Sequence, residues 1–90
     1  MCLWQDRDYV GRMLKFHDVT TSWQNLSGYG FNDEMSSWRN RKNKDAKWAW
    51  DDDGGGTERC MNSNSSSSYV GAGDNDEASS IRIFDSSAIC

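Results

Sequence analysis

The sequence predicts an all-β fold made of two similar halves. Ser, Asn, Gly and Asp interrupt the 90-residue chain about every ten residues, and no stretch has the apolar spacing of an amphipathic helix. A hexapeptide occurs twice, as NDEMSS at residues 32–37 and as NDEASS at residues 75–80. Each half is too short to bury an apolar face alone, so we expect the two halves to share one core.

Six short strands are predicted between the turn signals. The last shows the clearest pattern, because Ile81 and Ile83 share one face while Arg82 and Phe84 share the other, the period of a half-buried strand. The predicted strands cover residues 1–5, 12–17, 36–39, 47–51, 58–62 and 79–84.

Two acidic segments, residues 6–11 and 51–56, are predicted as matching hairpin connections, since each contains glycine where the backbone needs a positive φ. The tripeptides WQD at 4–6 and WDD at 50–52 align the halves with an offset of 46. The serine-rich tract at 63–68 is predicted to be a surface loop.

The composition indicates a folded chain of modest stability. Five tryptophans argue against disorder despite a mean hydropathy of -0.89. A chain this short buries a limited core, so a metal ion or a disulfide is a plausible addition. We expect four tryptophans to pack in the core or against the sheets rather than to form ligand platforms: Trp23, Trp38, Trp48 and Trp50.

The net charge is -4, yet five of the ten basic residues lie within residues 39–47, between the two hexapeptides. A nucleic-acid or anionic-surface patch is one interpretation. A solvated linker is favoured, because no aromatic residues alternate with these charges, so we expect no nucleic-acid partner. No run of about 20 apolar residues is available for a membrane span, and we expect a monomer. The basic residues are Arg39, Arg41, Lys42, Lys44 and Lys47.

Three cysteines in a small, serine-rich chain indicate a disulfide framework with one cysteine left over. Three reduced cysteines in a cytosolic protein are the alternative. We expect a mature secreted protein whose leader is absent from this chain. A zinc site has little support, because no CxxC pair occurs and His17 is the single histidine. An elbow or oxyanion signature is also missing, so we expect no enzyme.

Both hexapeptides concentrate carboxylate, amide and hydroxyl oxygens, the ligands that a hard cation such as Ca2+ prefers. The alternative is that these side chains cap turns through bonds to the backbone. Capping alone does not require the same order of residues twice. The acidic run at 51–54 does not fit an EF-hand, because a Glu at the twelfth loop position is missing.

An aromatic residue followed by a polar one, then Tyr9-x-Gly11 and a distant NDxxSS, resembles the Greek-key signature of microbial βγ-crystallin domains. The resemblance implies a sandwich of two Greek keys in one domain spanning 1–90, with the keys at about 1–43 and about 46–90. Four further segments are similar to the secreted actinobacterial branch, which includes peptidase inhibitor family I36 and killer-toxin-like proteins: CLWQD at 2–6, GRML at 11–14, WQNL at 23–26 and YGFND at 29–33.

The resemblance implies two Ca2+ sites, each built from both halves. Aspartates would supply side-chain oxygens, glutamates and the hairpin residues would supply carbonyls, and serines would reach across to the partner site. The implied ligands are Gln5, Asp33, Glu34, Ser36, Asp51, Asp76, Glu77 and Ser79. Few full carboxylates per site predict micromolar to millimolar affinity. The second half departs from the pattern, because Gly54, Gly55 and Gly56 stand where the first half has Tyr9 and its neighbours.

The family branch offers a second function, inhibition of a metalloprotease, for which an extended segment near Cys60 and Met61 would serve. It also implies the disulfide pairing. The branch usually carries a further cysteine just upstream of the position matching Cys2, so we expect Cys60 to pair with Cys90 and Cys2 to stay free.

Overall fold

The computed structural model describes residues 1–17, 19–20 and 22–90, which form two four-stranded sheets. The strand orders are β2-β1-β4-β7 and β3-β8-β5-β6, and all neighbouring strands run antiparallel. The strands are β1 Cys2–Asp6, β2 Val10–Lys15, β3 Gln24–Asn25, β4 Ser37–Asn40, β5 Ala46–Ala49, β6 Glu58–Met61, β7 Ser65–Ser67 and β8 Ser80–Ile83. This architecture confirms the predicted all-β sandwich of two Greek-key motifs.

The two halves exchange one strand each. Strands β1 to β4 come from the first half, but β3 pairs with β8 of the second half. Conversely, β7 of the second half pairs with β4 of the first. Each sheet therefore needs both copies of the repeat, which is why neither half can cover its apolar face alone. None of the described residues belongs to a helix long and apolar enough to cross a membrane.

The core lies between the sheets and is filled by side chains that alternate along the strands. Leu3, Ile81 and Ile83 have no exposed surface, and Trp48 is 2% exposed. The predicted alternation of the last strand is correct, because Arg82 between the two isoleucines is only half-buried. The other buried apolar residues are Met1, Phe16, Leu26, Phe31, Met35, Trp38, Ala46, Ala49, Met61 and Ala78.

All six predicted strands are present, with ends within two residues of those expected. The loop predicted at 63–68 is wrong, because Ser65–Ser67 forms β7 and pairs with β4. Its stability comes from backbone bonds to one neighbour at a sheet edge, so no apolar alternation marks it in the sequence. The short strand β3 was not predicted for the same reason.

The tryptophans pack as expected. Trp38 and Trp48 are buried in the core, and Trp50 is half-buried and packs against it. Trp23 is half-buried and lies directly over Gly54, where an added Cβ atom would come within 2.3 Å of its ring.

A disulfide closes the end of the second sheet. Cys60 on β6 is bonded to Cys90, with Cα atoms 6.0 Å apart, and Cys2 is free, as the family resemblance implied. The buried Asp45 carboxylate lies beside this bond and accepts the backbone N–H groups of Cys90, Ser63 and Ile89. These hydrogen bonds, led by that of Cys90, hold the pKa of Asp45 below its usual range. The C-terminal segment is thus tied to the core by a bond and a buried anion.

Candidate metal centre

The two hairpin connections have the same backbone although their sequences differ. Each contains a short 3-10 turn, Arg7–Tyr9 in the first half and Asp52–Gly54 in the second. The left-handed steps fall at matching places, with φ of 60° at Asp8 and 55° at Asp53. The next residues, Tyr9 and Gly54, also have positive φ, at 60° and 76°. Aspartate and glycine adopt this conformation more readily than other residues.

The last serine of each hexapeptide holds its hairpin in place. The Ser37 hydroxyl donates to the carbonyl of Asp6 over 2.7 Å and accepts the N–H of Tyr9 over 3.1 Å. The Ser80 hydroxyl donates to the carbonyl of Asp51 over 2.7 Å and accepts the N–H of Gly54 over 3.0 Å. Both serines are fully buried. Asp6 and Asp51 are therefore structural equivalents, with an offset of 45.

The predicted offset of 46 between the two tryptophan tripeptides is wrong by one residue, whereas the predicted match of segments 6–11 and 51–56 has the observed offset of 45. The N–H of Ser36 donates to the carbonyl of Trp4 over 2.9 Å, and the N–H of Ser79 donates to that of Ala49 over 2.8 Å. Trp4 thus matches Ala49 rather than Trp50, and Trp50 takes the place of Gln5. Trp4 and Trp50 are chemically alike, which suggested the wrong alignment of the two halves. An alignment error of one residue matters because it exchanges the two faces of a strand. Asp51 as a metal ligand stays a prediction, and its carbonyl already accepts a hydrogen bond.

The two hexapeptide loops are bonded to each other across the halves. Their second residues both have left-handed backbones, with φ of 56° at Asp33 and 60° at Asp76. The N–H of Asp33 donates to the carbonyl of Ala78 over 2.8 Å, and the N–H of Asp76 donates to that of Met35 over 3.2 Å. The loops therefore form one reciprocal unit.

The serine side chains also cross between the halves, to the second residue of one hexapeptide and to the first residue of the other. The Ser79 hydroxyl donates to Oδ1 of Asp33 over 3.1 Å, and the Ser36 hydroxyl donates to Oδ1 of Asn75 over 2.5 Å. Each serine therefore reaches the hexapeptide of the opposite half. We call the first hairpin, Ser36 and residues 75–76 the first clamp. The second hairpin, Ser79 and Asp33 form the second clamp.

A cleft of about 380 Å³ opens at the first clamp. Glu34 at its edge is held by two neighbours, since Nε2 of Gln5 donates to Oε1 over 3.1 Å and Arg12 lies 3.7 Å from Oε2. Five of the eight predicted ligand residues line the cleft: Gln5, Asp33, Glu34, Ser36 and Asp76. Four residues that the sequence did not suggest as ligands also line it: Asp6, Arg7, Tyr69 and Asn75.

The other three predicted ligands belong to the second half. Ser79 joins Asp33 at the second clamp. Asp51 lies at the start of the second hairpin, where its carbonyl faces Ser80. The backbone N–H of Glu77 donates to the carbonyl of Asp74 over 3.2 Å, and its side chain is exposed. The structure therefore brings Ser79 and Asp51 to the second clamp, while Asp33 of that clamp also lines the cleft of the first.

Some clamp residues that the sequence analysis did not identify are nevertheless marked by a pattern in the sequence. Ser37 and Ser80 are identical in both copies, which marked them as equivalent but not as hairpin supports. Arg7 and Tyr69 left no signal, because they meet only in the folded chain, with the guanidinium carbon 4.4 Å from the ring centroid.

The donor set of both clamps consists of oxygen atoms from carboxylates, hydroxyls, amides and backbone carbonyls, which suits Ca2+. Within the described ranges, no three His, Cys, Asp or Glu side chains cluster as a metal site would require. The clamps would hold an ion mainly through neutral oxygens, so that such a cluster is not needed.

Solved structures with the same architecture are βγ-crystallin domains. One from Flavobacterium johnsoniae is 29% identical, with a TM-score of 0.77 over 92% of this chain and 91% of that one. One from Clostridium beijerinckii is 21% identical, with a TM-score of 0.79 over 94% and 97%. A double mutant of that domain is 24% identical, with a TM-score of 0.80 over 94% and 96%. The last two likenesses concern the fold alone.

No curated protein matches the sequence significantly. The family model for peptidase inhibitor family I36 matches residues 1–49, which is more than half of the 90 residues. This segment includes both strands of the first hairpin, the first hexapeptide and β4 and β5. The chain therefore belongs to peptidase inhibitor family I36.

Proposed function

We propose that this protein is a secreted, monomeric and non-catalytic calcium-binding module with one Ca2+ site at each clamp. The observation that carries the proposal is the reciprocal crossing of Ser36 to Asn75 and of Ser79 to Asp33. These contacts bring oxygen atoms from distant parts of the chain together twice in related ways. A purely structural turn would need only local bonds to its own backbone.

The first clamp would hold the ion with Ser36, Asn75 or Asp76 and carbonyls of the first hairpin and of Glu34. The second clamp would use Ser79 and Asp33 with carbonyls of Glu77 and of the second hairpin. Water would complete the coordination of about six to eight oxygens. Few carboxylates compensate the charge of each ion, so we expect affinities in the micromolar to millimolar range that suits extracellular modules.

The decisive test exchanges the crossing serines for arginine. In Ser36→Arg, a hydroxyl is lost and a cation is placed beside the first clamp, so calcium binding there should fall while the second clamp stays near normal. Ser79→Arg should do the reverse. Calcium titration followed by backbone NMR separates the sites through the amide signals of Asp33 and Asp76.

Ser66→Arg is the matched control, because Ser66 is an exposed serine on β7 outside both clamps. It should leave both titrations unchanged. If calcium produces no shifts in the wild-type protein, the proposed function is wrong. If each arginine silences only the hexapeptide that carries it, calcium binds but the crossing arrangement is wrong.

Inhibition of a metalloprotease is the second candidate, and the family membership favours it. Strand β6 is an edge strand of its sheet, Cys60 on it is exposed, and the disulfide to Cys90 holds it in place. An extended strand held in one conformation can occupy a protease cleft with little loss of entropy.

The protein should inhibit a thermolysin-like enzyme at a stoichiometry of one to one. The double variant Cys60→Ser, Cys90→Ser should be cleaved by the same enzyme, because the strand is no longer held. Absence of inhibition by the intact protein at micromolar concentration would leave calcium binding as the remaining function.

A further inference from the structure

A second cleft, of about 500 Å³, lies on the outer surface of the first sheet and shares no lining residue with the cleft at the first clamp. Its size falls in the range of small-molecule sites, which is roughly 300 to 1,000 Å³. Its lining is basic although the chain as a whole has a net charge of -4. The basic residues that line it are Lys15, His17, Arg39, Arg41 and Lys42.

The strand register explains why these charges meet. Cys2 on β1 is opposite Lys15 on β2 and opposite Arg39 on β4, so both cations project from the same face on either side of it. Arg41 and Lys42 follow β4 directly and bring two more charges to the same end of the sheet. Folding thus joins a lysine of the first hairpin to cations that lie about 25 residues further along the chain.

The cations of this cleft have no anionic partner among the residues that the structure describes. Among the described residues, the cations that form ion pairs are Arg7, Arg12, Lys44 and Arg59. None of these four lines the cleft. No carboxylate belongs to its described lining either. Like charges gathered without compensation repel each other, and a bound anion would remove that repulsion.

Arg39, which lines the cleft, stacks on an aromatic ring. Its guanidinium carbon lies 4.6 Å from the centroid of the Tyr9 ring, and that ring packs edge-on against Trp4. A planar guanidinium stacked on a ring has lost part of its rotamer freedom and presents its N–H donors along one plane, which matches a phosphate group. Trp4 and Phe16 add an apolar wall to the same cleft.

We infer that this cleft binds a small ligand carrying two or more linked phosphate groups. A single phosphate would leave most of the four permanent charges of Lys15, Arg39, Arg41 and Lys42 unbalanced, whereas a diphosphate or triphosphate balances them. The volume of about 500 Å³ is sufficient for a small ligand of this kind. The aromatic wall would accept an apolar or ring portion attached to the phosphates. This site is independent of calcium.

Isothermal titration with tripolyphosphate on chelator-stripped protein, in buffer free of calcium, tests the inference. We expect binding at one to one, and we expect Arg39→Gln and Lys42→Gln each to lower the affinity by about tenfold, since each removes charge-assisted hydrogen bonds. Arg39→Lys should recover part of the loss, because it restores the charge without the planar fork.

Lys47→Gln is the matched control. It removes the same charge from β5 of the other sheet, outside the cleft, and should change the affinity less than twofold. The amide spectrum of each variant verifies that the fold is intact. An equal loss in Lys47→Gln would overturn the site in favour of diffuse attraction. Absence of binding would overturn it outright, and tighter binding of a hexaglutamate peptide than of tripolyphosphate would assign the cleft to an acidic polypeptide instead.

Discussion

The two clamps have one backbone design and different charges. In both, the hydroxyl of a buried serine donates to an aspartate carbonyl over 2.7 Å and so fixes the hairpin. A second serine donates to a side chain of the opposite hexapeptide. With the offset of 45, however, Arg7 of the first hairpin corresponds to Asp52 of the second, and Arg12 corresponds to Thr57. The serine bonds therefore set the shape of a clamp, and other side chains set its electrostatic potential.

The difference predicts two unequal calcium sites. Arg7 lines the cleft of the first clamp and stacks on Tyr69, so that its charge stays near any ion bound there. At the equivalent place the second clamp has a carboxylate. Asp6 and Asp51, and Asp8 and Asp53, are matched pairs and do not distinguish the sites. If the protein binds calcium as proposed, the second clamp should fill first.

Trp23 covers the second hairpin at Gly54, and this contact gives the largest effect expected of a single substitution. Gly54→Ala should destabilise the protein by about 2 to 3 kcal/mol, because an added Cβ would lie 2.3 Å from the Trp23 ring and φ is +76°. Chemical denaturation measures the loss. The first hairpin carries Tyr9 at this place with φ of 60°, so the backbone there accepts a side chain and the larger part of the penalty arises from Trp23.

Gly28→Ala is the control for this change. A Cβ atom added at Gly28 would meet nothing within 4 Å, and the substitution should alter the free energy of unfolding by no more than about 0.5 kcal/mol. Equal stability of the two variants would show that Trp23 does not rest on Gly54 in solution, and that the second hairpin lacks the cover described here.

Calcium bound at the two clamps should stabilise the folded protein. A ligand that binds only the folded state adds about 2.7 kcal/mol for each site at a hundredfold excess over its Kd. Mg2+ should add much less, because it requires a tighter octahedral shell and gives up water reluctantly. Thermal unfolding in millimolar CaCl2, in MgCl2 and in EDTA tests this, and superimposable curves would contradict calcium binding at either clamp.

The features that the sequence predicted well are those recorded in local patterns. The alternation at Ile81 and Ile83 predicts their strand, and the identical positions of the two hexapeptides predict that the chain consists of two similar halves. The crossing of Ser36 and Ser79 is present as hydrogen bonds, while their role as ligands stays a prediction. Ser65–Ser67 was missed, because an edge strand held by backbone bonds needs no apolar residue.

The features that escaped prediction depend on contacts between distant segments. Trp50 resembled Trp4 by chemistry, and the bonds of Ser36 and Ser79 to the carbonyls of Trp4 and Ala49 show the true register. The same holds for the aromatics beside the basic cleft. Trp4 and Tyr9 are far from Arg39 in sequence, and the interpretation of a plain solvated linker rested on their apparent absence.

The smallest and sharpest test exchanges the charges of the two clamps. Arg7→Asp should tighten calcium binding at the first clamp by about tenfold at low ionic strength, and Asp52→Arg should weaken the second by a similar factor, which is about 1.4 kcal/mol for each change. The double variant should reverse the order in which the amides of Asp33 and Asp76 respond to calcium. Added salt should reduce each effect, because both positions are exposed to solvent.

Glu58→Arg, which reverses a charge outside both clamps, should leave the order unchanged. If the order survives the exchange, the inequality of the sites arises from their ligands rather than from the charges around them.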